Sequence, residues 1–130
     1  MHIENIIILA CLLILIQIFI PIIIDFIFTK KINLQYLLSS RESSIENSAY
    51  FQRGKRALNN LLETFPIFIF LILLSIFKEI DNSNLAVLWL IFRSIYIPIY
   101  ILGINYVRTL IWVGSLVCLI LMGIKFIEFI

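Results

Sequence analysis

The chain has 130 residues, 62% of them hydrophobic and 14% charged, with a net charge of +2 and a mean hydropathy of +1.10. A soluble domain of this size exposes too much of its surface to hide so much apolar material, so a water-soluble globular protein is excluded. Four apolar stretches, about 6–28, 57–77, 85–104 and 107–126, each approach the roughly 20 residues needed to cross a hydrocarbon core. They are continuously apolar rather than alternating, which argues against a strand barrel.

The first span opens Met1-His2-Ile3-Glu4, without a basic leader or a small-residue cleavage site, and reads as a retained helix rather than a signal peptide. His2 reads as a terminal surface residue. Cys11 and Cys118 both fall inside spans and read as small apolar packing residues. There is no clustering of metal-ligating residues, so no metal is expected.

The segment 31–52 is rich in Ser, Glu, Asn and Gln and reads either as a solvated loop or as an amphipathic stretch on the membrane surface. Six of the ten basic residues (Lys30, Lys31, Arg41, Arg53, Lys55 and Arg56) lie between the first and second spans. The positive-inside rule then puts this loop in the cytoplasm and both termini on the opposite side. Orientation accounts for the basic loop, and nucleic-acid binding is not expected.

The second span is headed by polar residues. On a helix of 3.6 residues per turn Arg56, Asn60 and Glu63 stand at i, i+4 and i+7 and share a face, with Arg53 close to it. An intramembrane carboxylate is costly without a partner or a task. A short polar turn, 81–84, leads to the third span, where Trp89, Arg93, Tyr96 and Tyr100 form one stripe. Arg93 lies roughly 16–17 Å from the cytoplasmic end at 1.5 Å per residue, where an arginine costs at least ~2.5 kcal/mol on insertion scales. Glu63 is the preferred partner for it, and Asp25, near the end of its helix, a poorer one.

The turn at 103–105 is so tight that the third and fourth spans must be antiparallel neighbours. The fourth span opens with Arg108-Thr109, and Arg108, Trp112 and Ser115 share a face. Pro21, Pro66 and Pro98 sit within spans, where kinks are tolerated. With no internal repeat, the chain reads as one domain, an all-α bundle of four antiparallel transmembrane helices. Its costly polar groups gather in the cytoplasmic half, which suggests a cavity there for an anionic, amphipathic ligand. The same residues also admit plainer readings: an Arg–Glu pair that locks helix packing, and Tyr100 as part of an aromatic belt.

At these residues the chain resembles the MAPEG family, membrane-associated proteins in eicosanoid and glutathione metabolism. The family signature Arg-Ala-x-x-Asn-x-x-Glu, followed closely by Pro, reads here Arg56-Ala57-Leu58-Asn59-Asn60-Leu61-Leu62-Glu63-Thr64-Phe65-Pro66. A second signature is matched by Arg93, Tyr100 and Arg108. The resemblance covers essentially the whole chain and implies a left-handed four-helix bundle assembled as a homotrimer, with glutathione bound between subunits in the cytoplasmic half.

By that resemblance Arg56, Asn60, Glu63, Tyr100 and Arg108 line the glutathione site; Arg53, Arg93, Tyr96 and Trp112, on the same helix faces, are counted with it, and Arg108 and Thr109 carry catalysis. Arginines suit the carboxylates of glutathione and Glu63 its ammonium. Arg108 favours the thiolate, and Thr109 is placed to donate a hydrogen bond to the sulfur. The second substrate is then a lipophilic electrophile or lipid hydroperoxide from the bilayer.

The chain departs from the family pattern at Trp112, where catalytic mammalian members have Tyr, and at Asn59, where some have Arg. Three functions compete: a glutathione-dependent transferase or peroxidase, a non-catalytic member that binds a lipid or thiol, and a small transporter. The last lacks repeated halves and helix-breaking glycine pairs. The short chain and lack of retention signals point to a bacterial inner membrane.

Overall fold

The structure, a computed structural model, describes residues 2–24, 26–27 and 49–128. Four helices follow in chain order: α1 (Ile3–Ile24), α2 (Ala49–Lys78), α3 (Ser83–Leu102) and α4 (Asn105–Glu128). All four are long and apolar enough to span a membrane, and the protein is an integral, multi-pass membrane protein. No strand occurs among the described residues. Asp25, Lys30, Lys31 and Arg41 lie outside them.

α2 and α4 run further at both ends than hydropathy alone indicates, while α3 keeps its expected length and is shifted two residues toward the N-terminus. The first turns of α2, from Ala49, include polar residues that a search for apolar runs passes over. At 1.5 Å per residue its 30 residues span about 45 Å, more than the roughly 30 Å hydrocarbon thickness. The head of α2, with Arg53, Lys55 and Arg56, therefore projects beyond the apolar slab.

α4 packs most closely on α3, α1 on α2, and α2 in turn on α3. The core lies toward the end of the bundle that carries the termini. There the Phe68 ring stacks on Trp89 with centroids 3.8 Å apart and planes 11° from parallel. Ile6, Ala10, Ile72, Ala86 and Met122 close around the pair. Two close approaches fix the helix pairs. A Cβ on Gly54 would come within 3.0 Å of the Pro21 ring, and one on Gly114 within 3.0 Å of the Phe92 ring. Glycine is what lets α1 meet α2 and α3 meet α4 at these points.

The outward surface is apolar: Phe70, Phe77 and Leu110 are 65%, 81% and 72% exposed. In water each would carry a penalty near 25 cal/mol per Å² of apolar area, whereas in lipid it meets its own kind. α1 is apolar all round, as suits a helix between lipid and bundle.

Both described inter-helix turns end in the same cap. After α3, the Gly103 N–H bonds to Tyr100 O at 3.1 Å and the Ile104 N–H to Ile99 O at 3.2 Å, with Gly103 at φ 78°. That is a Schellman motif, with glycine in the left-handed position it favours. After α2, the Glu79 N–H bonds to Ile76 O at 3.3 Å and the Ile80 N–H to Ser75 O at 3.0 Å, but the left-handed residue is Glu79 at φ 55°.

The α2–α3 turn is pinned beneath by buried Asn82, whose Nδ2 donates to Ser75 Oγ at 2.8 Å. Above, the exposed Asp81 carboxylate accepts from the Ser83 hydroxyl and from its N–H at 3.0 Å, which holds the acid below its ordinary pKa. Lys125 donates to the Asp81 carbonyl at 2.9 Å and ties α4 to the same turn.

Candidate functional site

The polar stripe of α3 turns inward. Arg93 is only 2% exposed, and its guanidinium carbon lies 5.7 Å from the Trp89 ring centroid and 5.6 Å from that of Tyr96. Its Nη1 donates to Asn60 Oδ1 at 3.1 Å and its Nη2 to Thr64 Oγ1 at 2.5 Å. The direct partners of Arg93 are therefore not Glu63, expected directly or through water, but two neutral acceptors one helical turn apart on α2. The reason is angular: Asn60 and Thr64 differ by about 40° around the helix, whereas Glu63 lies about 100° from Thr64. Glu63 is exposed on the flank of α2.

From Arg93 the stripe continues to Tyr96 and Tyr100, with ring centroids 5.4 Å apart. The Gly103 turn then brings α4 back alongside, and the Arg108 guanidinium carbon lies 4.8 Å over the Tyr100 ring. These elements enclose a cavity of about 310 Å³ lined by Asn60, Tyr96, Tyr100, Arg108, Thr109 and Trp112. Six of the ten residues singled out in the sequence thus meet around one space. Arg93 stands behind the wall, bonded to Asn60.

Besides Arg93, three more of the ten do not line the cavity. Arg53 donates from Nη1 to Ile101 O at 3.2 Å, lies against Gly103, and has its guanidinium carbon 5.8 Å from the Tyr50 ring. A cation at the carboxyl end of α3 meets the negative end of the helix dipole, so Arg53 clasps α2 to the C-terminus of α3. Arg56 and Glu63 are exposed on α2. Thr109 lines the cavity, but its hydroxyl donates to Asn105 O at 3.1 Å. Its proton is directed to its own helix, so it does not stand ready as a donor to a sulfur, and Arg108 is left as the cationic donor.

Two residues of this region escaped the sequence reading. Thr64 stands at i+4 from Asn60, which is the signal that could have exposed it. Gln17 on α1 is 2% exposed, with neither amide atom meeting a partner among the described residues. Among the described residues, no group of three or more His, Cys, Asp or Glu comes together as a metal site.

The arrangement combines an arginine and a tyrosine pair facing a cavity near the tight α3–α4 turn, backed by a second, buried arginine. The model of the MAPEG family matches residues 6–127. The chain belongs to the MAPEG family. Compared with curated proteins and with solved structures, it matches none. In this MAPEG chain the two signatures come from three helices: Asn60 on α2, Tyr100 on α3 and Arg108 on α4 meet at the cavity. The departure from the family pattern also falls on the cavity wall, at half-buried Trp112. Its indole supplies an N–H but no lone pair, where a tyrosine would supply both.

Proposed function

We propose that the protein is a glutathione-dependent transferase or peroxidase acting on lipophilic electrophiles or lipid hydroperoxides. The observation that carries this reading is the convergence of Asn60, Tyr96, Tyr100, Arg108 and Trp112 on one cavity at the first-loop end of the bundle, in a chain whose family is named for glutathione metabolism. That end is cytoplasmic by the distribution of basic residues, and the host membrane is read as a bacterial inner membrane.

The donor set suits the ligand. Arg108, the two tyrosine hydroxyls and the Asn60 amide offer hydrogen-bond donors to carboxylates, a peptide carbonyl and a thiolate. The residues that line the cavity include no carboxylate for the ammonium, and the acid that suits it, Glu63, faces away on the outer flank of α2 together with Arg56. A carboxylate so placed within the span calls for a cover. A homotrimer supplies one: each copy's cavity is completed by the α2 flank of its neighbour, and the site lies between subunits. Arg108 then lowers the thiol pKa by placing positive charge beside the sulfur. The thiolate attacks an electrophilic carbon, the S–C bond forms, and the leaving group departs with its electron pair while the thiol proton passes to water.

A second reading is favoured by Trp112 and by the committed Thr109 hydroxyl: a non-catalytic member that binds a lipid or thiol in the same cavity. Isothermal titration of the purified protein with glutathione, paired with a conjugation assay, separates them. Binding with turnover is expected; binding without turnover supports the second reading, and neither heat nor turnover rules out the first. Arg108→Ala is expected to abolish binding with the assembly intact by native mass spectrometry. Dissociation of the assembly would assign Arg108 to the interface instead.

A further inference from the structure

Thr64 does not line the cavity, yet it controls a group that does. Its hydroxyl donates to Leu61 O, one turn back on α2, at 3.3 Å, and accepts from Arg93 Nη2. A hydroxyl has a single proton; with that proton given to Leu61, only its lone pairs face Arg93. The guanidinium is donor-only. Fixed at one amine by Thr64 and flanked by the Trp89 and Tyr96 rings, it presents its other amine, Nη1, to Asn60. A donor there can be met only by the amide oxygen. The Asn60 side chain has one oxygen and one NH2 group on opposite arms, so with the oxygen turned to Arg93 the NH2 is the end left for the cavity that Asn60 lines. The reverse orientation would set N–H against N–H beside a buried cation.

We infer that Thr64 is a positioning residue: through Arg93 it holds the Asn60 amide with its NH2 toward the cavity. That wall then takes an acceptor group, a carboxylate or an amide carbonyl of a small peptide-like ligand, and disfavours an ammonium at the same place. The choice of glutathione as probe rests on the function proposed above; the orientation of the amide does not.

The test uses the full-length protein in lipid nanodiscs, titrated with glutathione. Thr64→Val, which keeps the shape and removes the hydroxyl, is expected to weaken binding roughly tenfold, and Thr64→Ser to restore it. Asn60→Asp keeps an acceptor for Arg93 but removes the NH2, so it is expected to lose at least as much affinity without any fall in thermal midpoint. Wild-type affinity in either Thr64→Val or Asn60→Asp overturns the inference. So does a Thr64→Ser protein that regains stability but not affinity, since Thr64 would then serve packing alone.

A ligand-free arm keeps the two readings apart. In protein labelled with 15N-asparagine, the Asn60 side-chain NH2 signal, assigned by its loss in Asn60→Asp, is expected to be sharp in the wild type and broadened or shifted in Thr64→Val. If wild-type protein ignores glutathione while this change is seen, the function fails and the positioning role stands. An Asn60 signal unaffected by Thr64→Val removes the positioning role whatever the ligand.

Discussion

A buried side chain is judged by its neighbours rather than by its formal charge, and Arg93 and Gln17 make the point from opposite sides. Arg93, the costliest group in the bundle, is met by two hydroxyl or amide oxygens and two aromatic faces. Gln17, a neutral residue, meets no partner among the described residues at either amide atom. An unmet buried amide costs about 1–3 kcal/mol relative to an apolar group of similar shape. Gln17→Leu is therefore expected to raise the thermal midpoint of the purified protein; a fall would show that the amide is satisfied within the bundle.

The sequence announced Arg93, because an arginine amid apolar residues has few explanations, and the i, i+4 stripe gave its direction. It did not announce its partners. Opposite charge pointed to Glu63, whereas the few tens of degrees separating Thr64 from Asn60 decided the matter. Gln17 stayed hidden for a related reason: α1 is apolar on every side, so no periodicity told which way one polar residue faces.

At the scale of the helices, the ends carry most of what the sequence left unread. The spans were visible as apolar runs, yet α2 starts at Ala49 because its polar first turns carry no hydropathy signal. Arg53 was placed in the binding site by its proximity to the signature, but the first turns of α2 carry it across to Ile101 O and Gly103. The tight α3–α4 turn was legible from Gly103 and the short turn after α2 from its polar residues 81–84, but the left-handed cap of that second turn was not, since Glu79 occupies it. A left-handed non-glycine residue costs roughly 1–2 kcal/mol, partly offset by the entropy glycine loses on folding. Glu79→Gly is accordingly expected to stabilise the protein by about 0.5–1 kcal/mol, and Gly103→Ala to destabilise it. Thermal unfolding of the two variants in the same detergent checks both signs, and a stabilised Gly103→Ala would contradict the cap geometry.

For the molecule as a whole, the consequence lies in how the bundle can move. α3 and α4 are joined through a two-bond cap at Gly103 and pressed together at Gly114 against Phe92. Sliding one past the other by a single turn, about 5.4 Å, would break both. The wall that carries Tyr96, Tyr100, Arg108 and Trp112 is thus one stiff plate. Both α2 and α3 hold an internal proline that can donate no backbone hydrogen bond to the turn before, but Pro98 of α3 lies between the Phe92–Gly114 contact and the Gly103 cap, whereas Pro66 of α2 has no such clamp to α4 on both sides. Asn60, on the cavity side of that weak point, rides on a segment that swings once the Arg53–Ile101 and Arg93–Asn60 bonds to α3 open.

Spin labels on the exposed positions Leu102 and Leu110 are expected to report one narrow distance by pulsed electron resonance. A pair on Asn59 and Leu110 is expected to report a broad one that sharpens when Pro66 is replaced by Ala. Equal widths for the two pairs would deny the hinge. Breathing of the cavity then belongs to α2 alone: a ligand enters past a helix bending about its own proline, against a plate that stays still.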